Sequence, residues 1–169
     1  MKFPDSAVQT RFDSPLGPML AAATDHGLCG LWFDAQKHLP DIAQWATQPD
    51  HPVLRQTQDA MQAYFAGDMA DFGVPLDLRG GTVFQQAVWQ ALLKIPSGAT
   101  TSYGALSHSL GHPSAVRAVA GAVGRNPVSV IVPCHRVLGS DGSLTGYAGG
   151  LPRKTALLQL EATRQGVLL

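Results

Sequence analysis

The chain has 169 residues and a mass of 17.8 kDa, and 45% of its residues are hydrophobic. This suffices for the core of one compact domain or two small ones and excludes general disorder. No apolar run approaches the roughly 18 to 20 residues of a membrane helix, and residues 1–5 lack the apolar stretch of a secretory signal, so we expect a cytoplasmic protein with no membrane partner.

The formal net charge is zero, but the charges are divided unevenly along the chain. Residues 1–78 hold four Lys or Arg and ten Asp, a net charge of −6, whereas residues 79–169 hold eight Lys or Arg and two acids, a net charge of +6. The second half would therefore attract a polyanion and the first would repel it. An asymmetry of this size also arises without any ligand.

The first half reads as a small sheet with one helix. Three strands are predicted over residues 8–13, 19–24 and 28–33, because turn-forming residues separate them, and an antiparallel meander follows. A helix is predicted from Pro52 to just before Gly67, and we expect it to pack on the sheet. Leu54, Gln58, Met61 and Phe65 recur in it at helical spacing.

A break at residues 79–82 marks the predicted domain boundary, which gives domains 1–78 and 79–169. Thr82 is a plausible N-cap for a helix that carries Phe84, Val88 and Leu92 on one side.

The second half then shows two helices joined by a tight turn. Ser102 would cap a helix that ends near residue 110, and a second helix is predicted over 115–123 after a turn at 111–114. This is the helix-turn-helix pattern, although an ordinary pair of packed helices also fits it.

The faces of the helix over 115–123 differ sharply in character. Val116, Val119 and Val123 share the side that we expect to be buried. Arg117 stands on another side among residues with almost no side chain, namely Ala120, Gly121 and Gly124. A helix face with so few side-chain atoms allows a partner's backbone to approach closely, and it offers few side chains that could recognise the partner's sequence. Tight packing against another helix is the alternative.

The chemical centre is predicted at Cys134. Residues 128–132 form a β-branched apolar run typical of a buried strand, and Pro133 would end it. Cys134 would then lie just past a strand end, followed by His135 and Arg136. A nearby imidazole and cations are the groups that give a thiol thiolate character. A small buried cysteine beside a surface histidine is the alternative interpretation.

The other cysteine, Cys29, lies in an apolar strand with no flanking cation, which favours packing over chemistry. We expect reduced thiols rather than a disulfide framework, because the chain has only two cysteines and they lie far apart. No metal site is expected, because the spacing of His26, Cys29, His38 and His51 matches no standard paired-ligand pattern.

A set of short motifs surrounds Cys134 and spans nearly all of residues 82–161. The motifs are Phe84-Gln85 to Trp89, Ile95-Pro96-Ser97-Gly98, Ser102-Tyr103-Gly104, Arg117-Ala118-Val119, Arg125-Asn126-Pro127, Pro133-Cys134-His135-Arg136-Val137, Gly146-Tyr147-Ala148-Gly149-Gly150, Arg153-Lys154 and Leu157-Leu158. In their order and spacing these motifs resemble those of the O6-alkylguanine-DNA alkyltransferase family. Residues 14–17 and 27–33 match the family's N-terminal sheet less sharply.

The resemblance implies an α+β fold. Its N-terminal domain would be an antiparallel sheet with a helix, similar to ribonuclease H. Its C-terminal domain would be mostly helical, with a helix-turn-helix similar to a winged helix.

The resemblance also implies catalytic roles for four residues. Cys134 would accept the alkyl group from O6 of guanine, His135 would act through a bridging water, and Glu161 would orient the imidazole. Asn126 would fix the path between the recognition helix and the active-site strand. No cofactor is implied.

The predicted partner is double-stranded DNA that contains O6-alkylguanine. By resemblance, Arg117 would replace the extruded base in the stack, and Tyr103 would press on the backbone phosphate. The remaining predicted DNA- and base-binding residues are Ala118, Ala120 and Gly121 on the helix and Val137, Ser140, Tyr147 and Ala148 around the pocket. The protein is expected to be a monomer that reacts once, and O4-alkylthymine is a further expected substrate.

Three other functions fit less well. A thiol hydrolase would need an acyl substrate and an oxyanion hole, neither of which the sequence indicates. A damage-binding module that resembles alkyltransferase-like proteins would lack the nucleophile, whereas Cys134 is present. A transcriptional regulator with an extra methyl-accepting domain would need a longer chain and a cysteine-rich N-terminal segment.

Overall fold

In the computed structural model, which describes residues 1–68 and 71–164, strands and helices mix as the predicted α+β class requires. Close contacts divide the chain into two compact units. The first comprises Met1–Gly81 together with Pro127–Ser129, and the second comprises Thr82–Asn126 and the residues from Val130 onward. The division into separate domains at residue 78 stays a prediction.

The first unit contains a four-stranded sheet. Strands β1 (Val8–Phe12), β2 (Met19–Thr24) and β3 (Gly27–Phe33) form the predicted antiparallel meander. A fourth strand, β4 (Ala46–Thr47), pairs parallel to β1 and gives the order β3-β2-β1-β4. It was not predicted, because two exposed residues carry no alternating pattern.

Helix α1 (Pro52–Phe65) packs on this sheet, as predicted. It buries Leu54 and Met61, together with Thr57 and Tyr64, which the sequence reading did not single out. Gly67 follows the helix with a φ of 102°, a left-handed conformation that glycine adopts without steric cost.

An aromatic cluster fills one part of the first unit. Trp32 and Trp45 stack with ring centroids 6.3 Å apart, and Phe3 meets each of them edge to face. Cys29 is buried in this cluster, where desolvation raises the pKa of its thiol to about 12. These surroundings favour a packing role for Cys29.

The predicted strand over residues 128–132 is wrong. Only a short stretch pairs, because the carbonyl of Pro127 and the amide of Ser129 exchange 2.8 Å hydrogen bonds with Leu31. The chain then turns at Val130, whose φ of 70° lies outside the β region. All five residues are buried, so the apolar run reflects burial in a turn rather than a sheet ladder.

The described part of the second unit is built on four α-helices. Helix α2 (Val83–Leu92) begins with the predicted cap at Thr82, which exchanges hydrogen bonds with Gln85 in a capping box. The others are α3 (Tyr103–Ser109), α4 (Val116–Gly124) and α5 (Leu151–Arg164). Ser102 caps α3 as predicted, and α3 packs against α4. Within the described residues, no helix is both long and apolar enough to span a membrane.

The buried side of α4 differs from the prediction at one position. Val119 and Val123 are buried with Ala122, but Val116 is 36% exposed. Val116 is the first residue of α4, more than one turn before Ala122, whose carbonyl accepts a 2.9 Å hydrogen bond from the Trp89 indole of α2. The anchored, buried part of α4 is therefore its later turns.

A pair of two-residue strands was missed by the sequence reading. Strand β5 (Thr101–Ser102) leads directly into α3 and pairs parallel with β6 (Val137–Leu138), which directly follows residues 134–136. This pairing brings the start of α3 close to the Cys134 segment.

We predict that Trp89→Phe lowers the free energy of unfolding by about 1–3 kcal/mol, because it removes the buried 2.9 Å hydrogen bond from the indole to the Ala122 carbonyl, which then keeps only the 3.2 Å bond from the Arg125 amide, and because the smaller ring leaves a cavity. Urea denaturation measures the loss. Trp45→Phe is the matched control, since it also shrinks a buried indole, that of the aromatic cluster, but leaves the hydrogen bond from Trp89 to the Ala122 carbonyl in place. Equal losses in the two variants would contradict the prediction.

Candidate active site

Cys134 lies in a tight turn rather than after a strand. Pro133, with φ −83° and ψ 64°, forms an inverse γ-turn in which the Cys134 amide donates to the Val132 carbonyl at 2.8 Å. One turn of 3₁₀ helix, Cys134–Arg136, follows immediately. This turn directs three consecutive buried side chains, those of Cys134, His135 and Arg136, into the second unit.

The side chain of Asn126 bonds to both ends of this turn. Its Nδ2 donates to the Val132 carbonyl at 2.7 Å, and its side chain also hydrogen-bonds the Cys134 sulfur. Asn126 lies just after α4, so it connects the end of that helix to the cysteine segment.

Burial dominates the acidity of the Cys134 thiol. Desolvation raises the pKa of Cys134 to about 11, although the Asn126 hydrogen bond and the positive charge of Lys154 favour the thiolate. The expected thiolate character is thus opposed by burial. Reaction at neutral pH then requires a base that takes the proton from the thiol as the sulfur attacks.

His135 is fully buried and bonds to Glu161. Its Nε2 lies 2.8 Å from Oε2 of Glu161, whose side chain is 1% exposed. Burial raises the pKa of Glu161, but hydrogen bonds from His135 and Arg136 outweigh it and hold that pKa below its ordinary value. An ionised carboxylate only accepts, so the proton of the imidazole is on Nε2. Nδ1 is then a lone-pair acceptor, and no residue in the described part of the chain hydrogen-bonds to it.

The same burial keeps His135 neutral. Desolvation lowers the pKa of His135 below its ordinary value, while the bond to Glu161 opposes the shift. The imidazole is therefore uncharged at neutral pH, the state in which it can accept a proton at Nδ1.

Arg136 binds the other side of the Glu161 carboxylate, whereas the sequence analysis considered it only as a cation near the Cys134 thiol. Its Nε donates to Oε1 at 2.7 Å and its Nη2 to Oε2 at 2.9 Å, a bidentate contact. A third bond runs from Nη1 to the Ile95 carbonyl at 2.6 Å. The position of Arg136 directly after the Cys-His pair was the available signal.

Lys154 was also missed as a site residue. Its ammonium is buried and donates to the carbonyls of Val137 at 2.7 Å and Thr145 at 2.9 Å, with a longer bond to Gly146. A helical stripe was the signal, because Lys154, Leu157 and Glu161 lie three and four residues apart and all face inward on α5.

The predicted base-binding residues lie around the 3₁₀ turn and the loop before α5. Tyr103, the half-buried first residue of α3, hydrogen-bonds Thr145 and lies close enough to Cys134 for their charges to interact. Val137 is buried in β6. Tyr147 and Ala148 are half-buried in the loop, whereas Ser140 is exposed in a turn.

The predicted DNA-facing residues share one side of α4. Arg117, Ala118 and Gly121 are exposed, and Ala120 is half-buried. A Cβ built at Gly121 would meet no atom of the described residues within 4 Å. The surface is therefore open, and a tight interhelix contact does not explain its small residues.

The described residues include no group of three or more His, Cys, Asp or Glu side chains that could hold a metal ion.

Two family models match the chain. The model described as 6-O-methylguanine DNA methyltransferase, ribonuclease-like domain, matches residues 8–78. The model described as 6-O-methylguanine DNA methyltransferase, DNA binding domain, matches residues 83–163. Because these matches cover most of the sequence, the chain belongs to the 6-O-methylguanine DNA methyltransferase family.

Individual relatives agree with this assignment. The methylated-DNA–protein-cysteine methyltransferase of Mycobacterium tuberculosis is 49% identical over 152 residues, which cover 90% of each chain. The protein of the same name from Haemophilus influenzae is 43% identical over 153 residues, covering 90% of this chain and 84% of the relative. These matches confirm the predicted family and enzyme class, that of a methylated-DNA–protein-cysteine methyltransferase.

Solved structures confirm the fold. A crystal structure of Mycobacterium tuberculosis O6-methylguanine methyltransferase has a TM-score of 0.85 and 47% identity, and the match covers 94% of each chain. A crystal structure of Mycobacterium tuberculosis OGT in complex with DNA has a TM-score of 0.84 and 47% identity, covering 91% of this chain and 92% of the other.

We predict that Glu161→Gln destabilises the protein by about 3–5 kcal/mol, because it leaves the Arg136 charge buried without a counter-ion. Since the folded-state pKa of Glu161 is lowered, its contribution is full at neutral pH and is lost as the pH falls through and below the unfolded value of about 4.3. Urea denaturation at several pH values measures both effects.

The matched control is Asp34→Asn, which neutralises a carboxylate in an exposed pair with Arg11. A change of about 1 kcal/mol or less is expected there. A Glu161→Gln protein as stable as this control would contradict a buried, ionised Glu161.

Proposed function

We propose that this protein repairs DNA by moving an alkyl group from O6 of guanine, in double-stranded DNA, to the sulfur of its own Cys134. The observation that carries the proposal is the pairing of a buried cysteine with a neutral, carboxylate-bound His135 whose Nδ1 has a lone pair to offer. The relatives named methylated-DNA–protein-cysteine methyltransferase and the DNA complex of the OGT structure support it.

The proposed step is a direct displacement. The sulfur of Cys134 attacks the alkyl carbon, a carbon–sulfur bond forms, and the bond from that carbon to O6 breaks. The thiol proton passes through a bridging water to His135 Nδ1. The departing guanine anion takes a proton from water at N1 to become the ordinary keto form, and the imidazolium then returns its proton to water. Glu161 stabilises the imidazolium that forms in between.

Guanine O6 lies inside the duplex, so the base must first leave the stack, at a cost of a few kcal/mol. The exposed Arg117 would take its place, and the small residues Ala118, Ala120 and Gly121 would let α4 approach the minor groove. Tyr103 would press on the backbone phosphate beside the emerging nucleotide. Because such contacts carry little base information, affinity should depend on salt far more than on sequence.

The extruded base would lie between the 3₁₀ turn and the loop before α5. Backbone groups of Cys134 and Val137, with Tyr147, Ala148 and Ser140, would line the pocket. Ala148 has no hydroxyl, so only its backbone N–H could bond the base. Asn126 would fix the cysteine segment.

The same pocket would accept O4-alkylthymine. Comparing transfer rates for methyl- and benzyl-guanine oligonucleotides would define the size of alkyl group that the pocket admits.

The product is a thioether, a stable bond that none of the described side chains around Cys134 is expected to cleave. Each molecule therefore reacts once and is consumed. We further propose that it acts as a monomer in the cytoplasm, where thiols stay reduced.

We predict that mixing the protein with an O6-methylguanine duplex adds about 14 Da to the intact mass, the mass of one methylene, because an activated sulfur accepts one methyl group. Peptide mapping should localise the methyl group to Cys134. Cys29→Ala should react like the wild type, and Cys134→Ala should gain nothing. More than one methyl transferred per protein, or transfer to Cys29, would contradict the proposal.

We predict that Arg117→Ala slows methyl transfer at least about tenfold on duplex DNA and much less on a single strand, where no base stack has to be opened. Single-turnover quench experiments compare the two substrates. Arg55→Ala, at an exposed position on α1, is the control and should leave both rates unchanged. An equal loss on the two substrates would show that Arg117 contributes charge alone.

A further inference from the structure

The cation that binds Glu161 is placed to control the chemistry of its neighbour His135. Glu161 Oε2 is shared, since it accepts from Nε2 of His135 at 2.8 Å and from Nη2 of Arg136 at 2.9 Å. The side chains of His135 and Glu161 are 0% and 1% exposed, and that of Arg136 is 8% exposed. Bulk water therefore contributes little to stabilising the carboxylate, and hydrogen bonds from His135 and Arg136 offset the cost of burying it.

A buried carboxylate with a neutral imidazole as its sole partner would tend to stay protonated, because desolvation strongly disfavours the charged form. A protonated Glu161 could donate to Nε2. The imidazole proton would then move to Nδ1, and the lone pair that the proposed proton transfer requires would be lost. A permanently charged guanidinium in a bidentate contact prevents this, since it favours the ionised carboxylate at every working pH.

We propose that Arg136 is a positioning residue that keeps Glu161 ionised and so fixes the proton of His135 on Nε2, which leaves Nδ1 free to take the Cys134 proton. This inference rests on the proposed function of Cys134 and His135. Arg136 acts through Glu161 and touches no reacting atom.

The hydrogen bond to the Ile95 carbonyl fixes the orientation of the Arg136 guanidinium. Because Nη1 donates to the Ile95 carbonyl, the guanidinium plane is held from its far side while Nε and Nη2 face the carboxylate. Lysine has no such fork and could meet only one oxygen well.

Among the described residues, the other cation near His135 is held by different partners. Within the described residues, the groups that act electrostatically on His135 are Glu161, Arg136 and Lys154. The Lys154 ammonium donates to the carbonyls of Val137, Thr145 and Gly146, and no hydrogen bond or ion pair joins it to Glu161 in the described part of the chain.

The first test reads the imidazole proton directly in the unmodified protein. Nitrogen-15 NMR of His135 at pH 7.5 should show a protonated Nε2 and an unprotonated Nδ1. A proton on Nδ1 would overturn the inference, whatever any variant does.

The second test compares Arg136→Met, Arg136→Lys and the surface control Arg55→Met. Arg136→Met should slow methyl transfer about 10²-fold at pH 7, the lower end of what a general base contributes. At neutral pH the His135 proton of this variant should shift towards Nδ1. As the pH rises, the transfer rate should recover, because Glu161 then ionises even without the Arg136 cation. Arg136→Lys should lose less and keep the proton on Nε2.

The outcomes separate the two proposals. If the wild type transfers no methyl group to Cys134, the proposed function fails. If the wild type reacts and Arg136→Met matches it in rate, pH profile and imidazole proton, the inference about Arg136 fails. If Arg136→Met does not fold, the wild-type NMR result and Arg136→Lys decide, and an Arg136→Lys protein with its proton on Nδ1 would overturn the inference.

Discussion

The structure around Cys134 depends on one buried negative charge. Glu161 is the only glutamate in the sequence, and its carboxylate takes three hydrogen bonds from the two residues that follow the cysteine. Those bonds outweigh the cost of burying it. They also anchor the 3₁₀ turn to α5, so that the element that carries the sulfur and the element that carries the acid are held together by the same interaction. The geometry and the acid–base state of the site therefore have one cause.

Helix α5 organises a second part of the site from the same face. Lys154, seven residues before Glu161, holds the carbonyls of Val137 and Thr145 and so ties the loop before α5 to strand β6. Tyr103 reaches Thr145 from α3. The two buried charges of α5 thus fix the turn that holds Cys134 and the loop expected to receive the base, and the pairing of β5 with β6 brings Tyr103 to both.

Local sequence patterns predicted the elements whose structure depends mainly on residues that are neighbours in the chain. The strands of the meander, the cap at Thr82 and the end of α1 before Gly67 follow from alternation, capping and glycine chemistry, all of which are local. The β-branched run at 128–132 was misread because burial alone produces such a run, and the turn at Val130 has no sequence signature of its own. The bidentate contact between Arg136 and Glu161 joins residues 25 positions apart, and no local sequence pattern predicts such a contact.

The chain path through residues 127–129 has a consequence for modularity. These three residues belong to the first compact unit, although their neighbours Asn126 and Val130 belong to the second. Each unit is thus assembled from segments that are not contiguous in the gene. A fragment that starts at Thr82 would strip Pro127 and Ser129 of their backbone partners on Leu31, next to the asparagine that bonds the sulfur. We therefore expect that the half that contains Cys134 cannot be separated as an independent fragment at the boundary predicted from the sequence.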